Sequence, residues 1–259
     1  MLLAIDTSTT LASLALTDDN TLLAELNWRV GQRHGSETLE RARRLLAGQG
    51  VTVAQMDGVA VALGPGSFNG VRVALATAKS LAFALDVPLY GVPTLDAIAW
   101  GARLTPDPIW ALLDAGRGEV FAARYLPVVE AADWAPQPAY GADGRDDVAG
   151  YHILTPADLA AQISGRSLFA GEWRAETQDA LRAALGERAR FTSPLTARRG
   201  VWLAELAQAR VERGAADDPR ALEPLYVRRP AITSSKRAEA SPAGLADQRT
   251  GGEEATHAL

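Results

Sequence analysis

The sequence predicts an α/β protein made of two lobes, each with a mixed β-sheet of the order βββαβα flanked by helices. A hairpin-led group of strands opens the chain, and crossover helices then alternate with further strands. A glycine-rich loop at residues 64–70 connects a buried strand to a long helix. A strand–Asp–turn–strand pattern at residues 2–16 recurs at residues 109–125, which indicates duplication of one unit.

The composition is typical of a globular protein and excludes several classes of site. Of the 259 residues, 47% are hydrophobic and 22% are charged, and the formal net charge of −5 disfavours direct binding of nucleic acid by this chain alone. The chain contains no cysteine, which excludes disulfides, thiolate zinc sites and a cysteine nucleophile. The N-terminus lacks a basic region and no apolar run could span a bilayer, so we expect a cytoplasmic protein without membrane contact.

Turn and capping residues delimit the elements of the first lobe. Residues 18–20 favour a hairpin turn, and Ser36 is predicted to be the N-cap of a helix that ends near Gly48. Glu37 and Arg41 are spaced for an ion pair on that helix. The predicted strands are residues 2–5, 11–16, 22–28, 59–63 and 89–92, and the predicted helices are residues 36–48, 67–85 and 94–103.

The glycine loop at residues 64–70 is the most informative segment. Its glycines do not match the dinucleotide-binding fingerprint, and no Gly-Lys-Ser/Thr follows, so it is not a phosphate-binding loop of the common NTPase kind. A glycine-rich turn between strand and helix nevertheless indicates a close approach of the backbone to a phosphate or to another chain. Ser67 is best explained as the N-cap of the helix that follows.

The helix at residues 67–85 is apolar or small on nearly every side. One stripe at helical spacing consists of Val71, Leu75, Ala78, Leu81, Ala82 and Leu85. The opposite side carries Ala76, Phe83 and the long side chains of Arg72 and Lys79. Two interpretations remain open, namely a central helix inside one domain and a helix that packs on its own sheet and also on a partner subunit.

The second lobe is less regular in sequence. Residues 127–150 favour a long loop, and residues 231–259 contain almost no large apolar residues, which predicts a disordered tail. The resulting domain prediction is an N-terminal lobe at residues 1–104, a C-terminal lobe at 105–230 and the tail. Beyond the repeated strands, the predicted elements are helices near 156–164, 175–185 and 196–213 and a strand at 167–170.

Five residues are candidates for an eroded nucleotide site. Actin-like ATPases place an Asp and small hydroxyl residues where Asp6, Thr7 and Ser8 stand, and Asp114 mirrors Asp6 in the second lobe. The first turn lacks a glycine, and only Gly171 remains where that superfamily has a double glycine. We favour the interpretation that Asp6 hydrogen-bonds to its own turn.

The histidines do not predict a metal site. His34, His152 and His257 are far apart in the sequence, and neither an H-x-x-x-H nor an H-E-x-x-H motif occurs. No Ser-His-Asp arrangement is recognisable either.

Six segments together resemble the TsaB (YeaZ) family. They are LAIDTST (3–9), RH and SE (33–37), GPGSF and GVR (64–72), AKSLA (78–82), D and RGEV (114–120) and PLYVR (224–228). The resemblance covers residues 1–230 and implies an actin-like ATPase (ASKHA, ribonuclease-H-like) fold with two lobes.

The resemblance implies an accessory subunit without activity of its own. Its partner would be the catalytic paralogue TsaD, which transfers threonylcarbamoyl from threonylcarbamoyl-AMP to the adenosine beside the anticodon of ANN-decoding tRNAs. The ATPase TsaE and the tRNA would be met through that complex, and the chain alone would form a homodimer. No cofactor is expected on this chain, and any ATP or ADP would lie at the complex interface.

In the family, the two N-terminal helices form the interface with TsaD. The corresponding residues here are Ser36, Leu39, Arg43, Leu46, Ser67, Phe68, Arg72, Leu75, Ala76, Lys79 and Phe83. Two alternatives remain: an independent ATP-dependent phosphotransferase of the same fold and, with less support from the sequence, a peptidase.

Overall fold

The computed structural model describes residues 1–30, 34–126, 133–134, 150–193 and 200–228, with the backbone alone for 34–36. The first repeat comprises β1 (Leu2–Asp6), β2 (Leu11–Asp18), β3 (Thr21–Arg29), α1 (His34–Gly48), β4 (Gly58–Ala62), α2 (Phe68–Leu85), β5 (Leu89–Val92) and α3 (Thr94–Trp100). The second repeat comprises β6 (Ile109–Gly116), β7 (Glu119–Tyr125), β8 (His152–Leu154), α4 (Pro156–Ala161), β9 (Ser167–Glu172), α5 (Ala175–Leu185), β10 (Ala189–Phe191) and α6 (Gly200–Val211).

The two repeats build two sheets with the same strand order. The first sheet runs β3-β2-β1-β4-β5 and the second runs β8-β7-β6-β9-β10 when read in the equivalent direction. In each sheet the first strand pairs antiparallel with the second and parallel with the fourth. The predicted duplication of a mixed-sheet unit is therefore confirmed.

Alternating residues divide each sheet into an outer and an inner face. On β1, Leu3 and Ile5 point to the outer core beneath α1 and α2, whereas Leu2 and Ala4 belong to the inner core. The outer face of the second sheet is covered in the same way by α4 and α5. A shared inner core fills the space between the two sheets and contains α3 and α6.

The two inner helices are exchanged between the repeats. Helix α3 of the first repeat packs on β6 and β9, whereas α6 of the second repeat packs on β1 and β2. Small residues permit the close approach of α6, because a Cβ on Gly200 would lie 2.8 Å from the Ser13 Oγ. Helix α6 thus covers the N-terminal sheet although its sequence lies in the region predicted as the C-terminal lobe.

A polar cluster is buried where α3 meets the second sheet. One carboxylate oxygen of Asp96 accepts hydrogen bonds from Tyr125 Oη, at 2.7 Å, and from Tyr151 Oη. The indole N–H of Trp134 donates to the Asp96 carbonyl at 3.1 Å. Burial raises the pKa of Asp96 to about 6, despite the two tyrosine hydrogen bonds that lower it.

Most predicted elements are confirmed, with differences at short strands and at helix ends. The strands β8 and β10 were not predicted, and each has only three residues. Helix α1 begins at His34, so the prediction of Ser36 as its N-cap is wrong. Helix α3 ends at Trp100 and α4 at Ala161, both three residues before the predicted ends.

Two predictions fall largely outside the described residues. They are most of the loop at residues 127–150 and the whole tail at residues 231–259. Within the described ranges, no helix combines the length and the apolarity that crossing a membrane requires.

Candidate partner surface and interlobe cleft

The glycine loop packs against its own chain. A Cβ on Gly66 would lie 2.1 Å from the Ser8 carbonyl oxygen, and a Cβ on Gly70 would lie 2.0 Å from that of Thr7. Real Cβ atoms do not approach a carbonyl oxygen so closely, so glycine is required at both positions. At these two glycines, the close approach that the sequence predicted is made to the turn after β1.

Hydrogen bonds fix the same contact. The Ser67 amide donates to the Ser8 carbonyl at 2.6 Å, and the Thr7 hydroxyl donates to the Gly70 carbonyl at 2.7 Å. The Ser67 hydroxyl accepts from the Gly70 amide at 3.2 Å, which confirms its predicted role as N-cap of α2. The first turn of α2 is thereby attached to the end of the first sheet.

Asp6 accepts hydrogen bonds within its own turn. Its Oδ1 accepts from the amide and the hydroxyl of Ser8, at 2.9 and 2.6 Å. The Thr94 hydroxyl donates in turn to the Ser8 hydroxyl at 3.0 Å. Asp6, Thr7 and Ser8 are all fully buried, so the interpretation of Asp6 as a local hydrogen-bond acceptor is confirmed.

A cleft of about 540 Å³ lies between the two repeats. The Thr9 hydroxyl bridges it by donating to the Glu172 carboxylate at 2.9 Å. Across from this contact, Asp114 Oδ2 pairs with Arg174 Nε at 2.8 Å. Among the described residues that line the cleft, two are carboxylates and one is a guanidinium, and that guanidinium is paired with one of the two carboxylates.

Gly171 is explained by strand packing. Its φ is +130°, and a Cβ there would lie 2.0 Å from the carbonyl oxygen of Leu112, its neighbour on the parallel strand β6. Any side chain at residue 171 would therefore force β9 away from β6. This packing reason accounts for the glycine without a nucleotide.

The outward side of α1 and α2 exposes large apolar side chains. Phe83 is 88% exposed, Leu39 is 52% exposed and Phe68 is 44% exposed. We define the α1/α2 surface as Leu39, Arg43, Phe68, Arg72, Ala76, Lys79 and Phe83, of which all but the half-buried Lys79 are exposed. An apolar helix face of this kind is typical of a surface that another protein covers.

Two residues predicted at the partner interface are largely buried within this chain. Leu46 is 4% exposed and Leu75 is 5% exposed, and both pack between the helices and the first sheet. Ala78 is fully buried there too. Leu46 and Leu75 belong to the stripe of each helix that faces its own sheet, and Leu46 also lines a groove between α1 and the end of α2. That they contact a partner stays a prediction.

An apolar groove adjoins the α1/α2 surface. It has a volume of about 450 Å³ and lies between α1, the end of α2 and a short 3-10 helix at Val53–Gln55. Leu39 and Val53 form its rim, while Met56 and Leu81 line it. Sequence reasoning missed Val53 and Met56, although the capping box between Thr52 and Gln55 could have indicated the short helix that carries them.

The segment at residues 224–228 joins the α2 end of this surface to the second repeat. The Leu225 amide donates to the Leu63 carbonyl at 2.8 Å, and Arg228 pairs with Glu119 of β7 at 2.7 Å. Between them, the ring of Tyr226 lies 5.7 Å from the ring of Phe68. Tyr226 is therefore a further residue beside the surface that the sequence did not indicate.

Comparisons with known proteins place the chain in a family. A family model described as TsaD: tRNA N6-adenosine threonylcarbamoyltransferase matches residues 29–177, more than half of the chain. The tRNA threonylcarbamoyladenosine biosynthesis protein TsaB of Bacillus subtilis is 33% identical over 124 residues, which are 48% of this chain and 54% of that protein. An uncharacterized protein of Mycobacterium tuberculosis is 34% identical over 180 residues, 62% of this chain and 84% of that protein.

The match to TsaB of Escherichia coli is similar in extent, with 35% identity over 126 residues, 48% of this chain and 54% of that protein. The alignments thus span about half the length of these two TsaB proteins. Among solved structures, YeaZ from Pseudomonas aeruginosa superposes with a TM-score of 0.69 and 25% identity, covering 87% of this chain and 98% of that chain.

The YeaZ likeness and the two mixed sheets with flanking helices confirm the predicted actin-like ATPase fold. The chain belongs to the family that this model describes and, within it, to the TsaB (YeaZ) proteins.

Proposed function

We propose that this chain is a non-catalytic subunit in the biosynthesis of tRNA threonylcarbamoyladenosine, and that it binds and supports the catalytic paralogue TsaD through the α1/α2 surface. Family membership supports the pathway, since the relatives from Bacillus subtilis and Escherichia coli carry that function in their names. The observation that carries the partner role is the exposed apolar face headed by Phe83, which is 88% exposed.

The cleft supports an accessory role. The two aspartates equivalent to those of the actin-like ATPases are engaged within the chain, Asp6 by its own turn and Asp114 by Arg174. The glycine loop, which could have approached a phosphate, is closed on Ser8. In this proposal TsaD carries out the transfer of the threonylcarbamoyl group from threonylcarbamoyl-AMP to the adenosine next to the anticodon of ANN-decoding tRNAs.

The remaining partners follow from the same proposal. The ATPase TsaE and the tRNA meet this chain through the complex, in the cytoplasm, and any ATP or ADP binds at the junction between subunits. Without TsaD, the α1/α2 surface is covered by a second copy of the chain. Either cover would remove Phe83 and Leu39 from water, which is the main stabilising contribution expected for such a contact.

The proposal is tested with Phe83→Asp and Leu39→Asp. Both side chains are largely exposed, so we expect the unfolding midpoint to stay near that of the wild type while affinity for TsaD falls at least about tenfold, because a carboxylate is buried against an apolar partner. Binding is measured by isothermal titration calorimetry and light scattering. The matched control is Leu104→Asp, since Leu104 is 95% exposed in the loop after α3, away from the α1/α2 surface.

Two outcomes would contradict the proposed function or its assignment to this surface. Wild-type chain that does not associate with TsaD, together with ATP turnover by the isolated chain, would favour the independent phosphotransferase. Equal loss of affinity in the Leu104 variant would show that the effect does not belong to the α1/α2 surface.

A further inference from the structure

The guanidinium of Arg72 is held in place at one end of the α1/α2 surface. Its Cζ lies 4.9 Å from the centroid of the Phe68 ring, in a cation–π contact. The ring of Phe68 also contacts the ring of Tyr226, and the two ring centroids lie 5.7 Å apart. Tyr226 is itself fixed by its neighbours Leu225 and Arg228, which bond to Leu63 and Glu119. The charge of Arg72 is therefore exposed but already oriented.

Arg72 differs from the paired arginines of the same molecule. Arg41 pairs with Glu37 at 2.6 Å, and Arg174 pairs with Asp114 at 2.8 Å. Within the part of the chain that the structure describes, no carboxylate lies within ion-pair distance of Arg72. The ring contact, rather than an acidic neighbour, sets the direction of its side chain.

The surroundings of Arg72 predict the chemistry of what covers it. Helix α2 contains no acidic residue between positions 68 and 85, and its exposed side presents Ala76 and Phe83 together with the cations Arg72 and Lys79. An apolar partner without a carboxylate would bury Arg72 unpaired, at a large cost in free energy. A second copy that packed α2 against α2 would supply no carboxylate from that helix either.

We propose that Arg72 is a preformed anchor for a carboxylate that the partner protein presents within an apolar helix face, with Phe68 and Tyr226 holding the guanidinium ready. The inference rests on the proposed function and names the chemistry of the partner surface. A guanidinium fixed before binding loses less side-chain freedom on binding than a mobile one, and its planar group can pair with both oxygens of a carboxylate.

The test measures affinity for TsaD by calorimetry at two salt concentrations for the wild type, Arg72→Gln, Arg72→Lys and Phe68→Leu. We expect Arg72→Gln to weaken binding about thirtyfold and to reduce the salt dependence. Arg72→Lys should recover part of the loss, and Phe68→Leu should weaken binding about threefold because the ring contact is gone. Arg166→Gln, an exposed arginine of the second repeat, is the matched control.

The outcomes separate this inference from the proposed function. Wild-type chain that fails to bind TsaD would overturn both. Wild-type binding with an equal affinity of Arg72→Gln would overturn the anchor and leave the proposed function standing. Unchanged affinity for TsaD with weaker retention of tRNA by the complex would also overturn it, since Arg72 would then contact an RNA phosphate. Circular dichroism and the unfolding midpoint should be the same for the wild type and the two Arg72 variants, because Arg72 is exposed.

Discussion

The two repeats share one topology but differ in the helices that cover them. On the first sheet, α1 and α2 expose Leu39 and Phe83. On the second sheet, α5 exposes Glu176, Asp179 and Arg182, and the described residues of α4 and α5 include no large apolar side chain that is exposed. One strand order can thus support a helix layer that exposes charged side chains or one that exposes large apolar side chains, and the difference rests with a few outward residues.

The turns after the first strand of each repeat differ as well. Asp6 is fully buried beneath the glycine loop, whereas Asp114 is exposed and bonds to the Gly116 amide and to Arg174. The aspartate after the first strand is therefore covered by the glycine loop in the first repeat, whereas the equivalent aspartate of the second repeat lines the cleft. This contact of the glycine loop also attaches α2, which carries the exposed Phe68 and Phe83, to its sheet.

We expect the largest loss of stability from a substitution that disrupts the contact between the glycine loop and the turn after β1. Gly70→Ala would place a Cβ 2.0 Å from the Thr7 carbonyl oxygen, a backbone atom that cannot move without displacing the turn after β1. We expect a loss of about 4 kcal/mol or more in the free energy of unfolding, measured with urea. Gly165→Ala in the second repeat is the control, because a Cβ there meets nothing within 4 Å. Similar midpoints for the two variants would contradict the role assigned to the loop.

The next effect concerns Asp96, which joins α3 to the second sheet. Burial raises its pKa from 3.8 to about 6, so the folded protein binds this proton more tightly than the unfolded chain does. The raised pKa contributes about 3 kcal/mol to the free energy of unfolding. This contribution is fully present below a pH of about 4 and is lost as the pH rises through about 6.

The comparison of the wild type with Asp96→Asn isolates this contribution. The free energy of unfolding is measured from pH 4 to pH 8, and the difference between the two proteins should change over that range, in favour of the wild type at low pH, because groups common to both cancel. Two parallel profiles would mean that Asp96 does not titrate in the folded protein as its burial indicates.

The smallest effect compares equivalent helix caps. Ser67 caps α2 by accepting from the Gly70 amide, and Thr155 caps α4 by accepting from the Asp158 amide, each at 3.2 Å. We expect Ser67→Ala and Thr155→Ala to lower the free energy of unfolding by about 1 kcal/mol each. A much larger loss in the free energy of unfolding for Ser67→Ala than for Thr155→Ala would show that the Ser67 side chain does more than cap α2. The two repeats would then differ in the role of this capping residue as well.

Much of the fold could be predicted because its patterns are local. The strand at 89–92 was predicted with the bounds that β5 has, and the ion pair between Glu37 and Arg41 forms at 2.6 Å as the helical spacing indicates. Strands β8 and β10 are too short for an alternating pattern to be recognised, and β8 follows a stretch rich in Pro, Asp and Gly. These two strands were missed because they are short and not because of their residue types.

The site was less predictable because it depends on contacts between distant segments. The glycines at 66 and 70 signal a close approach, but their sequence does not say which backbone is approached. Leu46 and Phe83 are both large apolar residues on predicted partner helices, yet only the packing of each helix on its sheet decides that Leu46 is buried and Phe83 is exposed. Tyr226 reaches the same surface from far along the chain.

The exchange of α3 and α6 also bears on how the chain could have evolved. Each sheet takes its inner covering from the other repeat, so a gene for one repeat alone would encode a sheet with a bare apolar face, prone to aggregate. Neither repeat could be deleted or separated without exposing the inner face of the other repeat's sheet. The outer helices α1, α2, α4 and α5 and the turns after β1 and β6 are the parts that each repeat supplies to its own sheet.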